Sequence, residues 1–520
     1  MSLIKNVSTI GGLTMVSRVF GFARDMLLAR LLGAGTGADA FFVAFKLPNI
    51  FRRLFAEGAF SAAFVPMFSK ELETGGRDQA VRFSHQVLSV FLPVLFFFTA
   101  IAQIAMPWIV EAMAGAYRDT PGKFELTVSL SRITFVYLLL ISLVSLLAGI
   151  LNSLSRFAEA AAAPILLNIS IITAVLIFGS TEPDPDFDTA YAVSVAVAVA
   201  GVLQFFWLCW AVRRAGIELR IFRPQVTPKV KRLLRIILPA TFGAGIYQIS
   251  QFVDIFFATR LEEGAMSFLN YADRLNQLPL GVIGIALGTA ILPALSRMVG
   301  ADDKEGAERL MRRATELSMM LTLPAATALV ICAGPLVTAI FLGGRFEADD
   351  AAVTSAVMAA LAFGLPAYVL IKVFTPGFYA RGDTKTPVYT ALAALALNIA
   401  VILVLIDDLE VVALPTAAAS AAWLNAALLY TLLHRSGRFQ VSGALIATIV
   451  KQVLAAAAMG ALLWWLRDAL SAEFAGSVFA RIWSVGALVA AGGAVYFAVL
   501  LTIGGLDREQ LAALLRRRRA

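Results

Sequence analysis

The chain has 520 residues, of which 59% are hydrophobic and only 15% are charged, with a formal net charge of +8. A soluble domain has roughly 25% charged residues, so this composition argues against a water-soluble protein. Only two histidines and two cysteines are present, which leaves little material for zinc sites, disulfides or Ser-His-Asp catalysis. The basic excess is typical of the cytoplasmic loops of a membrane protein and does not require a nucleic acid partner.

Long apolar segments follow one another along the whole chain. A membrane-spanning helix needs about 20 mainly apolar residues, and the first segment lacks a small-residue cleavage site, so we expect it to be retained. Fourteen segments meet this length requirement, and they define spans one to fourteen of an all-α polytopic membrane protein. They are 7–32, 38–69, 84–112, 126–151, 158–179, 189–213, 231–260, 265–298, 308–343, 350–380, 386–406, 411–433, 443–467 and 480–504.

The charges between spans predict the orientation. Basic residues crowd the connection between spans six and seven, from Arg213 to Arg232, and the tail Arg516–Arg519. The connection between spans five and six, by contrast, contains Glu182 to Asp188 without a basic residue. Lysine and arginine collect on the cytoplasmic side, so we predict that both termini of this inner-membrane protein are cytoplasmic.

A short internal repeat predicts two pseudo-symmetric lobes. The segment 64–70, FVPMFSK, is similar to 291–297, ILPALSR, and each closes an even-numbered span. We therefore predict an N-lobe of six helices at 1–214, a cytoplasmic linker at 215–230 and a six-helix C-lobe at 231–434. Spans thirteen and fourteen, within 435–520, fall outside the repeat. Parallel repeats are a transporter architecture, with substrate bound near the middle of the membrane.

Charged and polar residues inside the spans mark the candidate site. A charge within the bilayer is costly and suggests function by default. The predicted substrate-binding residues are Arg18, Arg24, Asp25, Asp39, Asn49, Arg52, Arg53, Glu57, Asp273 and Arg274. Lys372 in span ten also requires a polar interior. Arginine suits phosphate because its planar fork donates two hydrogen bonds at once, so the arginines predict a pyrophosphate group.

Ion pairing between helices is the alternative explanation for these charges. Arg53 and Glu57 are four residues apart, so they share a helix face and favour a local salt bridge. Arg52 lies about 100° around the helix from Arg53 and can face a cavity. Arg24 and Asp25 are adjacent, so we expect each of them to find its partner on another helix.

Three groups of motifs resemble one family. Arg18-Val-Phe-Gly-Phe-Ala-Arg24-Asp25, Ala38 to Asn49 and Phe51 to Ser61 resemble the first helix pair of the MurJ (MviN) lipid II flippases. Tyr271 to Leu275 and Gly281 to Thr289 are similar to motifs of that family's second half, and Phe378 to Pro387 to its loop between helices ten and eleven. The likeness extends over essentially the whole chain.

The resemblance implies a fold and a set of roles. The fold is that of the multidrug/oligosaccharidyl-lipid/polysaccharide exporters, with two lobes around a cationic cavity and spans thirteen and fourteen forming a groove for a polyprenyl tail. Functional cavity residues would be Arg18, Arg24, Asp39, Arg52 and Arg274. Gln277 stands where some relatives have an acid, which puts a carboxylate role there in doubt.

The resemblance also implies a sodium site in some members, for which Asp254, Asn398 and Thr416 are the candidate ligands. Ile402 stands where a second carboxylate would help. No other cofactor is expected. The implied partners are lipid II and membrane lipids.

The function expected from the resemblance is movement of lipid II from the cytoplasmic to the periplasmic leaflet by alternating access. The alternatives are an exporter of another lipid-linked glycan or of drugs, and a membrane-embedded enzyme acting on polyprenyl phosphates. An enzyme would need clustered acids for a metal or a general base, whereas the acids here are scattered. The sequence contains no Walker A motif, so ATP is not expected to drive transport directly.

Overall fold

The protein is helical throughout the part of the chain that the computed structural model describes, which is residues 3–55, 59–179, 186–220, 222–474 and 476–505. In these ranges the only β pairing is an isolated bridge between Gly343 and Phe346. The helices of the first half are α1 (Leu3–Leu32), α2 (Thr36–Phe55), α3 (Ala59–Ala114), α4 (Lys123–Ser153), α5 (Phe157–Phe178), α6 (Asp186–Arg214) and α7 (Pro228–Ala258). Those that follow are α8 (Ala265–Gly300), α9 (Lys304–Ile331), α10 (Ala333–Ile340), α11 (Ala348–Phe363), α12 (Leu365–Tyr379), α13 (Lys385–Leu409), α14 (Ala413–Arg435), α15 (Gly443–Ala469), α16 (Ser471–Phe474) and α17 (Val478–Thr502).

Many of these helices are long and apolar enough to cross a membrane. Nine helical stretches of the described residues meet that criterion by length and composition. The helices α1 and α2 are not among them, and both contain several charged residues. The predicted fold class, an all-α membrane protein with multiple spans, is confirmed. The count of fourteen crossings stays a prediction.

The helix boundaries differ from prediction where glycine or proline interrupts the chain. The predicted span 38–69 is divided between α2 and α3, and residues 56–58 lie outside the described ranges. The helix α3 in turn contains a kink at Gly76, whose φ of 72° is non-helical. Gly76 tolerates this left-handed conformation because it has no Cβ, so the chain turns there between two helical segments.

Two helices occupy each of the predicted spans nine and ten. The range 308–343 breaks between α9 and α10 at Cys332, and the range 350–380 breaks between α11 and α12 at Gly364. Pro335 and Pro366 follow the two breaks closely. Proline lacks the N–H that would continue the helical hydrogen-bond ladder, so each helix ends and restarts.

Donors from neighbouring helices satisfy several backbone carbonyls that proline leaves without a helical partner. In a helix the N–H of residue i bonds to the carbonyl of residue i−4, so each proline frees the carbonyl four residues before it. Such freed groups must find partners inside a membrane bundle. Four of them do so: Ala44 O accepts from Thr134 Oγ1 at 2.7 Å, Gln103 O from Arg132 Nε at 3.3 Å, Met320 O from Tyr496 Oη at 2.8 Å, and Ile331 O from Arg467 Nη1 at 3.3 Å. The corresponding prolines are Pro48, Pro107, Pro324 and Pro335.

The chain divides into two compact units. The first unit extends to Ser267 and includes Gly343–Phe346, and the second comprises Phe268–Leu342 and the chain from Glu347 onward. The first therefore contains α7, which the repeat had assigned to the C-lobe. The two units are defined by how the helices pack, whereas the two lobes were predicted from the sequence repeat. The lobe boundaries at 214, 231 and 434 therefore stay a prediction.

Each unit has its own apolar core. In the first, stacked aromatic rings of Phe60, Phe64 and Phe83 pack α3 against α4, α6 and α7. In the second, Phe374 and Phe439 pack together among apolar residues of α8, α9, α12 and α14. These cores fix the helices whose charged residues are described next.

Candidate functional site

A buried polar network joins α1 to α5 in the first unit. The Arg24 guanidinium donates to Asp25 Oδ1 through Nε at 2.9 Å and Nη2 at 2.7 Å. Its third nitrogen, Nη1, donates to Asn168 Oδ1 at 3.0 Å. Asn168 Nδ2 in turn donates to the Ser17 carbonyl at 3.0 Å. Arg24 is 6% exposed and Asp25 is 1% exposed, so this network fixes a charged guanidinium inside the helical bundle.

The geometry corrects one expectation about this pair. Arg24 and Asp25 were expected to need separate partners because adjacent residues point about 100° apart on a helix. The flexible arginine side chain instead curls around α1 and makes a two-pronged contact with its neighbour. The expected partner on another helix is present as well, but it is the neutral amide of Asn168.

Other predicted site residues lie on α1 and α2. Arg18 is half-buried and is seven positions before Asp25, which places both on one face of α1. On α2, Asn49 Nδ2 donates to the Phe45 carbonyl at 2.8 Å and Asn49 Oδ1 accepts from Arg52 Nε at 3.2 Å. Asn49 therefore holds the Nε edge of the Arg52 guanidinium.

The expected Arg53–Glu57 salt bridge lies outside the part of the structure that is described. Glu57 belongs to residues 56–58, and the side chain of Arg53 is also outside the described set. Their assignment to the site stays a prediction.

Asp39 is enclosed by donors at the start of α2. Its Oδ2 accepts from Lys123 Nζ at 3.0 Å and from Gly264 N at 2.9 Å. Its Oδ1 accepts from Ser267, through N at 3.1 Å and Oγ at 2.8 Å. The Lys123 ammonium also lies 4.4 Å from the ring centroid of Tyr117. Asp39 thus joins α2 to the first turns of α4 and α8, and its predicted contact with substrate is untested.

Two residues of these networks were missed by sequence reasoning. Asn168 is a polar residue in the middle of an apolar span, and such residues commonly bond across helices in membrane proteins. Lys123 is a basic residue on the side where acidic loops predominate, an exception to the charge bias that defined the orientation. Both signals were available in the sequence.

In the second unit, the predicted residues lie on α8 and α12. Asp273 accepts a hydrogen bond from Gln277, one helical turn further on, so the departure from an acid at position 277 supplies a donor to Asp273. Arg274 is half-buried. The half-buried Lys372 lies close to Gly284 of α8. A Cβ added at Gly284 would lie only 2.7 Å from Lys372 Nζ. Glycine at 284 therefore makes room for the lysine.

The predicted sodium ligands are divided between the two units. Asp254 lies on α7 in the first unit, and Asn398 and Thr416 lie on α13 and α14 in the second. Asn398 is buried and its Oδ1 accepts no hydrogen bond from the described residues. Thr416 Oγ1 donates to the Val412 carbonyl at 2.8 Å. Among the residues that the structure describes, no group of three or more His, Cys, Asp or Glu could hold a metal.

The C-terminal helices α15 and α17 pack on each other and on α9 within the second unit. Polar side chains of both helices attach them to α9, Arg467 among them. Tyr496 Oη donates to Met320 O at 2.8 Å, and Gln452 Nε2 donates to Glu316 O at 3.2 Å. The outward surfaces of the two helices are apolar, with Trp464, Trp465 and Trp483 more than half exposed. These helices therefore present a lipid-facing surface with aromatic residues, as at a membrane interface.

Comparison with known proteins identifies the family. The family model described as "Lipid II flippase MurJ" matches residues 28–484. A protein of Rhizobium meliloti named "Probable lipid II flippase MurJ" is 42% identical and aligns with 98% of this chain and 96% of its own length. A protein of the same name from Rhizobium tropici is 41% identical over 100% of this chain and 98% of its own length.

A solved structure described as "Lipid II flippase MurJ, inward closed conformation" has the same fold. Its TM-score is 0.77 at 21% sequence identity, and the match covers 94% of this chain and 97% of that one. The match of the family model over most of the chain, together with full-length relatives above 40% identity, shows that this chain belongs to the MurJ family of lipid II flippases.

Proposed function

We propose that this protein moves lipid II, the lipid-linked peptidoglycan precursor, from the cytoplasmic to the periplasmic leaflet by alternating access. The observation that supports the proposal most is the buried Arg24 network in the first helix of a member of this family. A charge inside a membrane bundle suggests function by default, even where it is paired. A guanidinium suits phosphate because its planar fork donates two hydrogen bonds at once, and the pyrophosphate of lipid II is such a group.

The state of Arg24 suggests how an anion would engage it. All three of its nitrogens donate to Asp25 or Asn168, so an incoming phosphate has to share or replace Asp25. Arg18 and Arg52 are more exposed than Arg24 and are better placed for first contact. Transferring a charged head through hydrocarbon alone is prohibitively costly by Born estimates. A cationic cavity containing Arg18, Arg24, Arg52 and Arg274 would supply compensating interactions, and that cavity is part of the proposal.

The proposal also includes the orientation of the protein in the membrane, a surface for the polyprenyl tail and a driving force for transport. The protein would lie in the inner membrane with both termini cytoplasmic, as the basic connections favour. The apolar surface of α15 and α17 would accommodate the polyprenyl tail. Transport rather than catalysis would be its activity. Membrane potential is a candidate driving force at about 2.3 kcal/mol per charge per 100 mV, with a sodium ion at Asp254, Asn398 and Thr416 as a second candidate.

A depletion experiment separates this function from its alternatives. Cells depleted of the protein should accumulate intact lipid II on the cytoplasmic side and then lyse. If the protein were an enzyme on polyprenyl phosphates, an unreacted precursor should accumulate in place of lipid II. If it exported drugs, depletion should produce drug sensitivity without lysis. Either of the latter results would contradict the proposal.

A further inference from the structure

Arg132 is an arginine on an exposed, mainly apolar surface of the first unit. It lies on α4 in one exposed stripe with Glu125 and Val136, as expected for residues three, four or seven apart on a helix. The neighbouring surface of α3 exposes Ile101, Ile104 and Trp108. An arginine among such residues needs an explanation because a charge facing lipid is costly.

If α4 is centred in the bilayer, its length places Arg132 just inside the hydrocarbon boundary. The helix α4 has 31 residues, so it is about 46 Å long and exceeds a hydrocarbon core of about 30 Å by about 8 Å at each end if centred. Arg132 is nine residues from the start of α4, about 13–14 Å along its axis. Its Cα is then about 5–6 Å below the boundary, a depth from which arginine extends its head to the lipid phosphates.

One contact holds the Arg132 guanidinium at this surface. Its Nε donates to the Gln103 carbonyl at 3.3 Å, the carbonyl that Pro107 leaves without a helical donor. Gln103 Nε2 donates back to the Arg132 carbonyl at 2.7 Å. The terminal nitrogens Nη1 and Nη2 make no hydrogen bond to the described residues, and no carboxylate among these residues forms a salt bridge with Arg132.

Satisfying the freed carbonyl does not by itself require a cation. Thr134 and Tyr496 do the same for Ala44 and Met320 with neutral hydroxyl groups. The only other arginine among the four donors, Arg467, has its charge paired with Asp468 at 3.1 Å. Arg132 differs from all three because it brings an additional positive charge to this exposed surface, and no described residue pairs with that charge.

We propose that Arg132 binds the phosphate of a phospholipid headgroup, from the leaflet into which the Lys123 end of α4 projects. Nε holds the guanidinium on α3, and Nη1 and Nη2 donate to two phosphate oxygens in the two-pronged geometry that arginine favours. Ile101, Ile104 and Val136 lie beside the acyl chains, and Trp108 lies at the interface. This lipid site is separate from the proposed substrate path and does not depend on the proposed function.

Native mass spectrometry of the full-length protein in detergent tests the proposal. Phosphatidylglycerol is titrated against wild type, Arg132→Gln and Arg467→Gln, with diacylglycerol as a lipid that has the same chains but no phosphate. Glutamine retains an N–H donor for the Gln103 carbonyl while removing the charge. We expect Arg132→Gln to retain phosphatidylglycerol about tenfold more weakly, the loss typical of a charge-assisted hydrogen bond. Arg467→Gln should bind as wild type does, because its charge is already paired.

Three other results of this experiment would contradict the proposed lipid site. Equal phosphatidylglycerol binding by wild type and Arg132→Gln would overturn the proposal, as would an equal loss of diacylglycerol, which would indicate a change in packing. Inorganic phosphate at the same concentrations should not compete, because a bilayer lipid also gains chain contacts. Full competition by inorganic phosphate would show a site for free anions and would contradict the assignment to a lipid.

Discussion

Asn168 of α5 accepts a hydrogen bond from Arg24 Nη1 at 3.0 Å and returns one to the Ser17 carbonyl on the same helix as Arg24, also at 3.0 Å. The amide thus connects the charged group to the backbone two turns before it. Asp25 therefore balances the charge of Arg24, and Asn168 sets the orientation of its guanidinium.

Replacing Asn168 should impair transport without removing the protein from the membrane. In Asn168→Ala, Arg24 retains Asp25 but loses its link to α5, so we expect lipid II translocation to fall several-fold. The unsatisfied donor should cost about 1–3 kcal/mol of stability, small enough to leave membrane abundance near normal. Asn168→Asp retains the acceptor and should restore part of the rate.

The matched control is Asn152→Ala, on α4 and outside the network, which should change neither rate nor abundance. A rate that falls only in proportion to abundance in Asn168→Ala would mean that the amide serves packing alone.

The ion pair of Asp39 and Lys123 should contribute strongly to stability. Both side chains are nearly inaccessible, and removing one partner of a buried pair typically costs about 3–5 kcal/mol. We expect Lys123→Met to lower the thermal unfolding temperature and membrane abundance markedly, and Asp39→Asn/Lys123→Met to recover much of the loss. Lys304→Ala, which removes a pair with both side chains 85% exposed, should have almost no effect. An equally small effect of Lys123→Met would contradict the structural role.

Asp383 should give a pH-dependent contribution to stability at the start of α13. It accepts hydrogen bonds from Thr386 N at 3.0 Å and Thr386 Oγ1 at 2.8 Å, and these bonds hold the pKa of its carboxyl below the usual value. Because the folded-state pKa is depressed, this stabilisation is present above the unfolded-state pKa of about 3.9 and is lost as pH falls through the folded-state pKa.

Thermal unfolding in detergent measures this effect. Asp383→Ala should destabilise the protein by roughly 0.5–2 kcal/mol at pH 7, as for other helix-capping residues. The difference from wild type should narrow at and below about pH 4, while Asp383→Asn should retain most of the capping. A difference that stays constant from pH 7 to pH 3.5 would show that ionisation of Asp383 does not matter.

The predicted orientation can be tested with single cysteines. In a background of Cys209→Ala and Cys332→Ala, cysteines replace Asp188 and Gln225, both exposed. The proposed topology places position 188 outside and position 225 inside. Only the former should react with an impermeant thiol reagent in intact cells, and both should react after lysis. Equal labelling in intact cells would overturn the topology.

Much of the fold could be predicted because hydrophobic length is a local property of the sequence. The apolar runs of α4, α6 and α15 gave their positions within a few residues of the observed bounds. The breaks at Cys332 and Gly364 were missed because a proline in a membrane helix can produce a kink or an end. Which of the two occurs depends on neighbours such as Arg467, whose donation to Ile331 O is a tertiary contact.

The candidate site was predictable in its charges but not in its pairings. Arg24 and Asp39 were recognised because charge inside a span is unusual. The Arg24–Asp25 contact was missed because a helical projection places Cβ atoms and not the ends of long side chains. Asn168 and Lys123 were overlooked because their partners are distant in sequence, and only the fold brings them together.

The central claim, that arginines in the spans bind the pyrophosphate of lipid II, is tested most directly by translocation in proteoliposomes. Purified wild type, Arg24→Ala, Arg52→Ala, Arg274→Ala and the exposed control Arg309→Ala are reconstituted at equal density, and the arrival of lipid II in the opposite leaflet is measured. We predict that each of the first three variants loses most activity, that lysine at these positions restores only part because it lacks the two-pronged contact, and that Arg309→Ala matches wild type. Translocation at the wild-type rate by all three alanine variants would contradict the account.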